Sequence, residues 1–310
     1  MGYLSTFHEG MNIGMPLVDP NHPILKNNTT LEYTHFSILF SKDRKQPICT
    51  AVNIDGKDFF EIKRKEKSHK WLIDTRTIIS KNEQLGKEFY SITNKDFHKG
   101  HIVRRLDPCW GNDTEARKAE EDTFHYTNAS PQHRLFNPAI WLELERNVLE
   151  KGAVAFDEKI TVFAGPVLSP ADKPFIKQVD KELIFIPSRF WKIIIWKKED
   201  KSTNAVGFMQ SQEALIDKWI DHGYGEERVR NLLDDHFENM KFKNEAVYQV
   251  NISEIEKVTG LILELEGVTL PPVKSGMVEL TRGTKKNITY NGRYRSTAKK
   301  SVSIDGMVLE

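Results

Sequence analysis

The chain has 310 residues, 45 Lys and Arg against 44 Asp and Glu for a net charge of +1, 39% hydrophobic residues and two cysteines. This composition suits a globular chain with a sizeable core. It excludes a disordered polymer, a disulfide-stapled miniprotein and a nucleic-acid binder steered by its total charge. At about 150 residues per domain the length allows two domains, but no repeat or low-complexity linker forces a cut. The amino terminus lacks the basic and apolar regions of a signal peptide. The longest apolar cluster, Phe190 to Trp196, carries Lys192 and is far short of the ~20 residues of a membrane helix. A cytoplasmic protein with no membrane contact is expected.

Residues 1–29 hold Gly14, Pro16, Pro20, Asn21, Pro23, Asn27 and Asn28 without periodicity, which predicts an arm lying over a domain. Tyr33 to Phe40 alternates apolar and polar side chains, and Cys49 to Ile54 does so more weakly before Asp55-Gly56, so the spacing predicts two strands in a hairpin. Lys63 to Lys70 is a charge run, read first as a solvated turn. From Pro138 to Leu149, Ile140, Trp141, Leu144, Val148 and Leu149 follow amphipathic helical spacing behind an Asn137-Pro138 start. Ala153 to Phe163, Leu183 to Ile186, Trp191 to Trp196 and Tyr248 to Ile252 read as strands, Gln212 to Ile220 and Glu226 to Phe237 as helices. Strands and helices mix without regular alternation, which favours α+β. Between Arg282 and Lys300 there are seven basic residues, no acidic ones and two tyrosines, Tyr290 and Tyr294. Such a stretch suits either a phosphate-binding tail or a solvated one.

The chemistry concentrates between Asp96 and Glu145. His98-Lys99-Gly100-His101 is followed by Arg104-Arg105, then by Thr127-Asn128-Ala129-Ser130-Pro131-Gln132, Asn137 and Glu145. A histidine, arginines, an amide at a helix start and a carboxylate along that helix are the parts of a metal-assisted phosphodiester hydrolase. Such an enzyme needs a base for water, cations for phosphate and a divalent ion for developing charge. Eight residues separate Asn137 from Glu145, which places them within about 80° of each other on a helix of 3.6 residues per turn. One amide ligand leaves most of a magnesium shell to water, and Glu145 can hydrogen-bond those waters. Each residue also has a plain reading: Asn137 as an N-cap, Glu145 as a solvent-facing helix residue, Arg104 and Arg105 as surface ion-pair partners. His98-x-x-His101 lacks a nearby third zinc ligand.

The segment resembles the DNA/RNA non-specific endonuclease family (endonuclease G-like) of the ββα-metal, or His-Me finger, superfamily. Its signature is Asp-Arg-Gly-His followed some thirty residues later by an asparagine on a helix. His98-Lys99-Gly100-His101 occupies the first motif, and Asn128 to Gln132 with Asn137 and Trp141 to Glu145 the second. Weaker echoes lie at Arg44 to Gly56, at Ile186-Pro187 with Phe190-Trp191-Lys192, and at Thr259-Gly260-Leu261. The resemblance implies a central antiparallel sheet flanked by helices with a ββα-metal site. It implies an endonuclease domain over residues 30–265, leaving residues 266–310 as a basic tail. It further implies His101 as general base, Asn137 as sole direct protein ligand of Mg²⁺ (Mn²⁺ substituting), and Glu145 ordering metal-bound waters. Asn128 would hydrogen-bond within the site, Lys99, Arg104 and Arg105 would contact nucleic acid, and Arg44 would stabilise the charged transition state. A neutral imidazole at His101 makes activity fall in mild acid.

His98 stands where the family has aspartate and Lys99 where it has arginine, so the fixing of the His101 loop is the open point. An active enzyme on DNA and RNA is the favoured reading. A catalytically weakened nucleic-acid-binding module is the alternative. A homodimer is expected by analogy with the family. A nuclease inside a cell must be restrained or be meant to harm that cell, which points to an inhibitor or immunity protein, or to an activator, as partner. A defence effector, a toxin needing an immunity protein and a regulated repair or scavenging enzyme all fit.

Overall fold

A computed structural model describes residues 1–63, 70–93, 96–136, 139–175, 182–198, 200–221, 246–274, 276–292, 295–305 and 307–308. The expected helix Glu226 to Phe237, most of the Lys63 to Lys70 charge run, and Asn137-Pro138 lie outside the described residues.

In chain order the elements are β1 (Leu17–Val18), β2 (Asn28–Tyr33), β3 (Phe36–Ser41), β4 (Gln46–Asp55), α1 (Lys87–Ile92), β5 (Phe97–His101), α2 (Asp113–Asp122), β6 (Ala129–His133) and α3 (Ala139–Arg146). They continue with β7 (Lys159–Val167), β8 (Lys173–Pro174), β9 (Phe185–Ile186), β10 (Arg189–Lys197), β11 (Thr203–Ser211) and α4 (Glu213–Asp221). The last are β12 (Val247–Val250), α5 (Ile252–Thr259), β13 (Leu261–Ile262), β14 (Val268–Thr269), β15 (Met277–Gly292) and β16 (Arg295–Asp305). Ten strands form one sheet in the order β16-β15-β12-β11-β10-β7-β4-β3-β2, with β14 joined in parallel to β11 and the other pairs antiparallel. The fold is α+β, a large antiparallel sheet with helices packed on it.

Both faces of the sheet are covered, so the central strands read as nearly continuous apolar runs. In β10, Ile194 joins Trp141, Leu144, Ile160 and Phe208 under α3. Trp191, Ile193 and Ile195 face the other way into a core closed by Ile13 and Leu25 of the amino-terminal arm and by Ile252 and Ile255 of α5. The strand period of two thus explains a run with almost no polar interruption. Its exception, Lys192, is 3% exposed and lies on the α3 side. The arm is pinned further by pairing of β1 with β13.

Several element boundaries differ from the expected ones for visible reasons. Tyr33 to Phe40 is not one strand: Thr34 and His35 form a two-residue turn, with His35 at φ 67°. Asp122 accepts from the Thr34 backbone and hydroxyl, and the His35 ring stacks on Trp110. Ala153 to Phe163 is not one strand either. α3 runs on into a π-helical stretch, Asn147–Ala153, and a 3₁₀ turn, Val154–Phe156, which Asp157 closes at φ 56° before β7 begins. Tyr248 to Ile252 splits at Asn251, which starts α5. Residues 277–292 and 295–305 are not a loose tail, because β15 pairs with β12 and β16 with β15 to finish the sheet.

Candidate active site

Two short strands and a helix make the site. β5 and β6, which flank α2 in the chain, pair in a separate two-stranded antiparallel sheet with His101 opposite Ala129 and Gly100 opposite Ser130, and α3 follows after β6. A Cβ at Gly100 would sit 2.1 Å from the Gln132 side-chain amide carbon, so a larger residue there would displace the Gln132 side chain. The ring of His101, half-buried at the end of β5, packs 4.5 Å from Trp71 and edge-on 4.9 Å from Phe124, centroid to centroid.

The chain beyond His101 is fixed by Asn128. This side chain is fully buried. Its Oδ1 accepts from Val103 N–H at 2.9 Å, and its Nδ2 donates to the carbonyls of Val103 and Thr123, both at 2.9 Å. Ile102 N–H adds a bond to the Asn128 carbonyl at 3.0 Å. All side-chain hydrogen bonds of Asn128 therefore go to backbone, and it positions the His101 segment instead of facing the cleft. His98 is exposed on β5, so the clamp does not pass through the position where the family carries aspartate.

His101, Gln132, Trp141, Glu145, Phe190 and Lys192 line one small cleft floored by Gly165. Glu145 is anchored there by Lys192, whose Nζ lies 3.0 Å from Oε1 and 5.1 Å from the Trp141 ring centroid. Both are largely buried, with side chains 4% (Lys192) and 12% (Glu145) exposed, so each charge depends on the other. Arg104 borders the same cluster, donating to the Glu145 carbonyl at 3.2 Å and lying 3.6 Å from Asp107. Burial pushes the Asp107 carboxyl up to about 6, against the pull of Arg104 and Lys192. Lys99 sits over the rings of Tyr90 and Trp71, 5.3 and 5.9 Å from their centroids, and burial lowers its pKa.

Two expected residues are committed elsewhere. Arg105 pairs with the buried Glu120 and donates to the Ile62 carbonyl at 3.3 Å. Arg44 pairs with the buried Asp172, donates to the Ser169 carbonyl at 3.0 Å and lies over the Phe185 ring. Neither lines the cleft. Their charges offset buried carboxylates, an assignment that cannot be read locally because the partners are 15 and 128 residues away. Lys192 and Gln132, named in the sequence only as parts of matching segments, line the cleft without having been expected there as site residues. The signal for Lys192 was a lone lysine in an apolar strand.

Among the described residues no group of three or more His, Cys, Asp and Glu comes together, so a zinc-type cluster is not formed there. The donors of the cleft are imidazole, amide and one anchored carboxylate. That set fits a hard cation held mostly through water, and the expected ligand Asn137 lies outside the described residues.

A model of the family described as DNA/RNA non-specific endonuclease matches residues 16–268. The chain is 36% identical over 193 residues to "Uncharacterized protein y4fB" of Sinorhizobium fredii (strain NBRC 101917 / NGR234), covering 59% of this chain and 27% of that one. It is 27% identical over 118 residues to mitochondrial endonuclease G of Homo sapiens, covering 34% and 37% respectively. The chain thus matches little more than a quarter to a third of these relatives' own lengths. A crystal structure of the EndoG/EndoGI complex aligns with 80% of the chain at 14% identity and a TM-score of 0.49. The chain belongs to the DNA/RNA non-specific endonuclease family, whose members are hydrolases of nucleic acid and in general metal-dependent.

Proposed function

We propose that the protein is an endonuclease that hydrolyses phosphodiester bonds of both DNA and RNA with little sequence preference. The observation carrying this reading is a single cleft shared by His101, on a segment clamped by Asn128, and Glu145, on the helix that follows Asn137. The His101 imidazole accepts a proton from the attacking water. Glu145, held in place by Lys192, orders water beside Asn137, while Arg104 and Lys99 attract the phosphate. Asn137 would hold Mg²⁺, with Mn²⁺ as substitute, and the bound ion would supply positive charge for the transition state and leaving oxygen. Contacts to phosphate carry no base identity, hence the weak sequence preference. Arg105 and Arg44 serve the scaffold in this reading.

The setting we propose is a cytoplasmic homodimer restrained by an inhibitor or immunity protein, or turned on by an activator, as befits a defence or toxin effector. Sedimentation and co-purification test that setting. The activity is tested by incubating plasmid and structured RNA with Mg²⁺, Mn²⁺ or EDTA. Cutting of both at scattered positions, stopped by EDTA and restored by added Mg²⁺, is expected. Cutting indifferent to EDTA overturns the reading. So does DNA that is shifted in a gel yet intact with either ion, the behaviour of a binding-only module.

A further inference from the structure

The sheet ends in a hairpin outside the family match, which stops at residue 268. Only Met277 to Leu280 of β15 ladder onto β12. From Thr281 paired with Asp305 to Gly292 paired with Arg295, β15 and β16 pair with each other. At ~3.4 Å per residue that is an arm about 35 Å long. Four lysines fall on four successive rungs: Lys285 opposite Val302, Lys286 opposite Ser301, Asn287 opposite Lys300 and Ile288 opposite Lys299. They occupy about 10 Å of the arm. No acidic residue lies between Arg282 and Ile304, and Arg282 and Arg295 stand nearer the two ends. The hairpin adjoins the site, since α3, which carries Glu145, packs against both β15 and β16.

We propose that this hairpin is a second nucleic-acid contact, an arm that holds the phosphate backbone of a polynucleotide alongside the cleft. The choice of a polynucleotide rests on the nuclease reading. A net charge of +1 leaves no global attraction, so capture of a long substrate falls to local concentrations of positive charge. The hairpin holds the densest acid-free one. Lysines also guard sheet edges against pairing with other chains. Beyond Leu280 both strands are open edges, so that role accounts for lysines on either strand, but acidic side chains would serve it as well and none lies between Arg282 and Ile304.

The test uses the full chain carrying His101→Ala, in EDTA, binding a labelled 30-base-pair DNA duplex followed by anisotropy between 50 and 200 mM NaCl. Each lysine neutralising one phosphate adds ~0.9 to the slope of log affinity against log salt, so four contribute about 3.6. Replacing Lys285, Lys286, Lys299 and Lys300 by Gln should lower that slope by about this amount and weaken binding at 50 mM NaCl by at least tenfold. The pair Lys299→Gln/Lys300→Gln, a milder change should the fourfold variant fold poorly, should give about half the slope change. Urea midpoints equal to the parent's verify folding. An unchanged slope and affinity in the folded pair variant overturns the proposal. So does a variant that loses self-association in the ultracentrifuge while keeping its affinity, since the hairpin is then a contact between copies of the chain. Binding is read without turnover, so failure of the nuclease reading shows separately, in the digestion assay.

Discussion

Asn128→Ala separates positioning from catalysis at this site. The native side chain is fully buried and makes three 2.9 Å hydrogen bonds to the backbone of Val103 and Thr123. Truncation leaves one buried N–H and two carbonyls without that partner. At about 1–3 kcal/mol for each group left unsatisfied, and with partial relaxation, the loss is about 3–5 kcal/mol. For a chain whose urea slope is about 3 kcal/mol/M, the unfolding midpoint falls by about 1–1.5 M. Activity falls with it, because Val103 lies two residues beyond His101 and a displacement of about 1 Å in a catalytic group costs on the order of a hundredfold. Asn128→Asp does not rescue, since it keeps the acceptor for Val103 N–H but sets a carboxylate against two carbonyl oxygens. The assay pairs urea unfolding, followed by tryptophan fluorescence, with plasmid cleavage under native conditions. An unchanged midpoint with lost activity would refute the clamp and make Asn128 a group acting on substrate. Unchanged values of both would refute any role.

The Glu145–Lys192 pair gives a second expectation: Lys192→Met strands a buried carboxylate and costs about 3–5 kcal/mol, seen as a lower urea midpoint. Adding Glu145→Gln restores much of that stability without restoring cleavage, and recovery of cleavage would show that the carboxylate is dispensable. Arg105→Met lowers stability by stranding Glu120 and leaves the KM for DNA unchanged; a several-fold rise in KM would return Arg105 to the substrate. Two buried groups make stability respond to pH in opposite directions. Burial lowers the pKa of His8 from 6.5 to about 4, with Lys159 and Lys197 adding to it, so the unfolded chain binds the extra proton between those values. Stability from His8 is therefore present above pH 6.5 and declines as pH falls towards 4, by about 3 kcal/mol. Asp107, raised from 3.8 to about 6, does the reverse: its folded form keeps the proton longer, so its contribution declines by a similar ~3 kcal/mol as pH rises from 4 to 6. Relative to the native protein, His8→Gln should thus lose less stability between pH 6.5 and 4.5, and Asp107→Asn more, by urea midpoint. The same slope in both variants would contradict the assignment.

What was legible in the sequence was local. The order from His98 to Glu145, the helix after Asn137-Pro138 and the strand through Trp191 depend on spacing within one element, and spacing survives in a bare sequence. The unread parts depend on partners far along the chain. Arg105 and Arg44 are ordinary surface-type residues until Glu120 and Asp172 are brought to them. Lys192 breaks an apolar strand for no local reason, and its reason is 47 residues away at Glu145. Boundaries failed where a left-handed residue decided them: His35 and Asp157 each turn the chain inside a run with good β propensity. The carboxyl-terminal stretch was read from its charge, which suggests a tail. Its β-branched Thr281, Ile288, Thr289, Val302 and Ile304 instead suit two strands paired with each other, joined to the sheet where Met277 to Leu280 meet β12.

The central claim is that His101 is the base in a cleft built for phosphodiester hydrolysis, and the most direct measurement is single-turnover cleavage of one labelled duplex by native protein and by His101→Ala at saturating Mg²⁺. Loss of general-base catalysis predicts a rate lower by about 10²–10⁴ with duplex affinity unchanged. A His101→Ala rate within a few-fold of native would contradict the account.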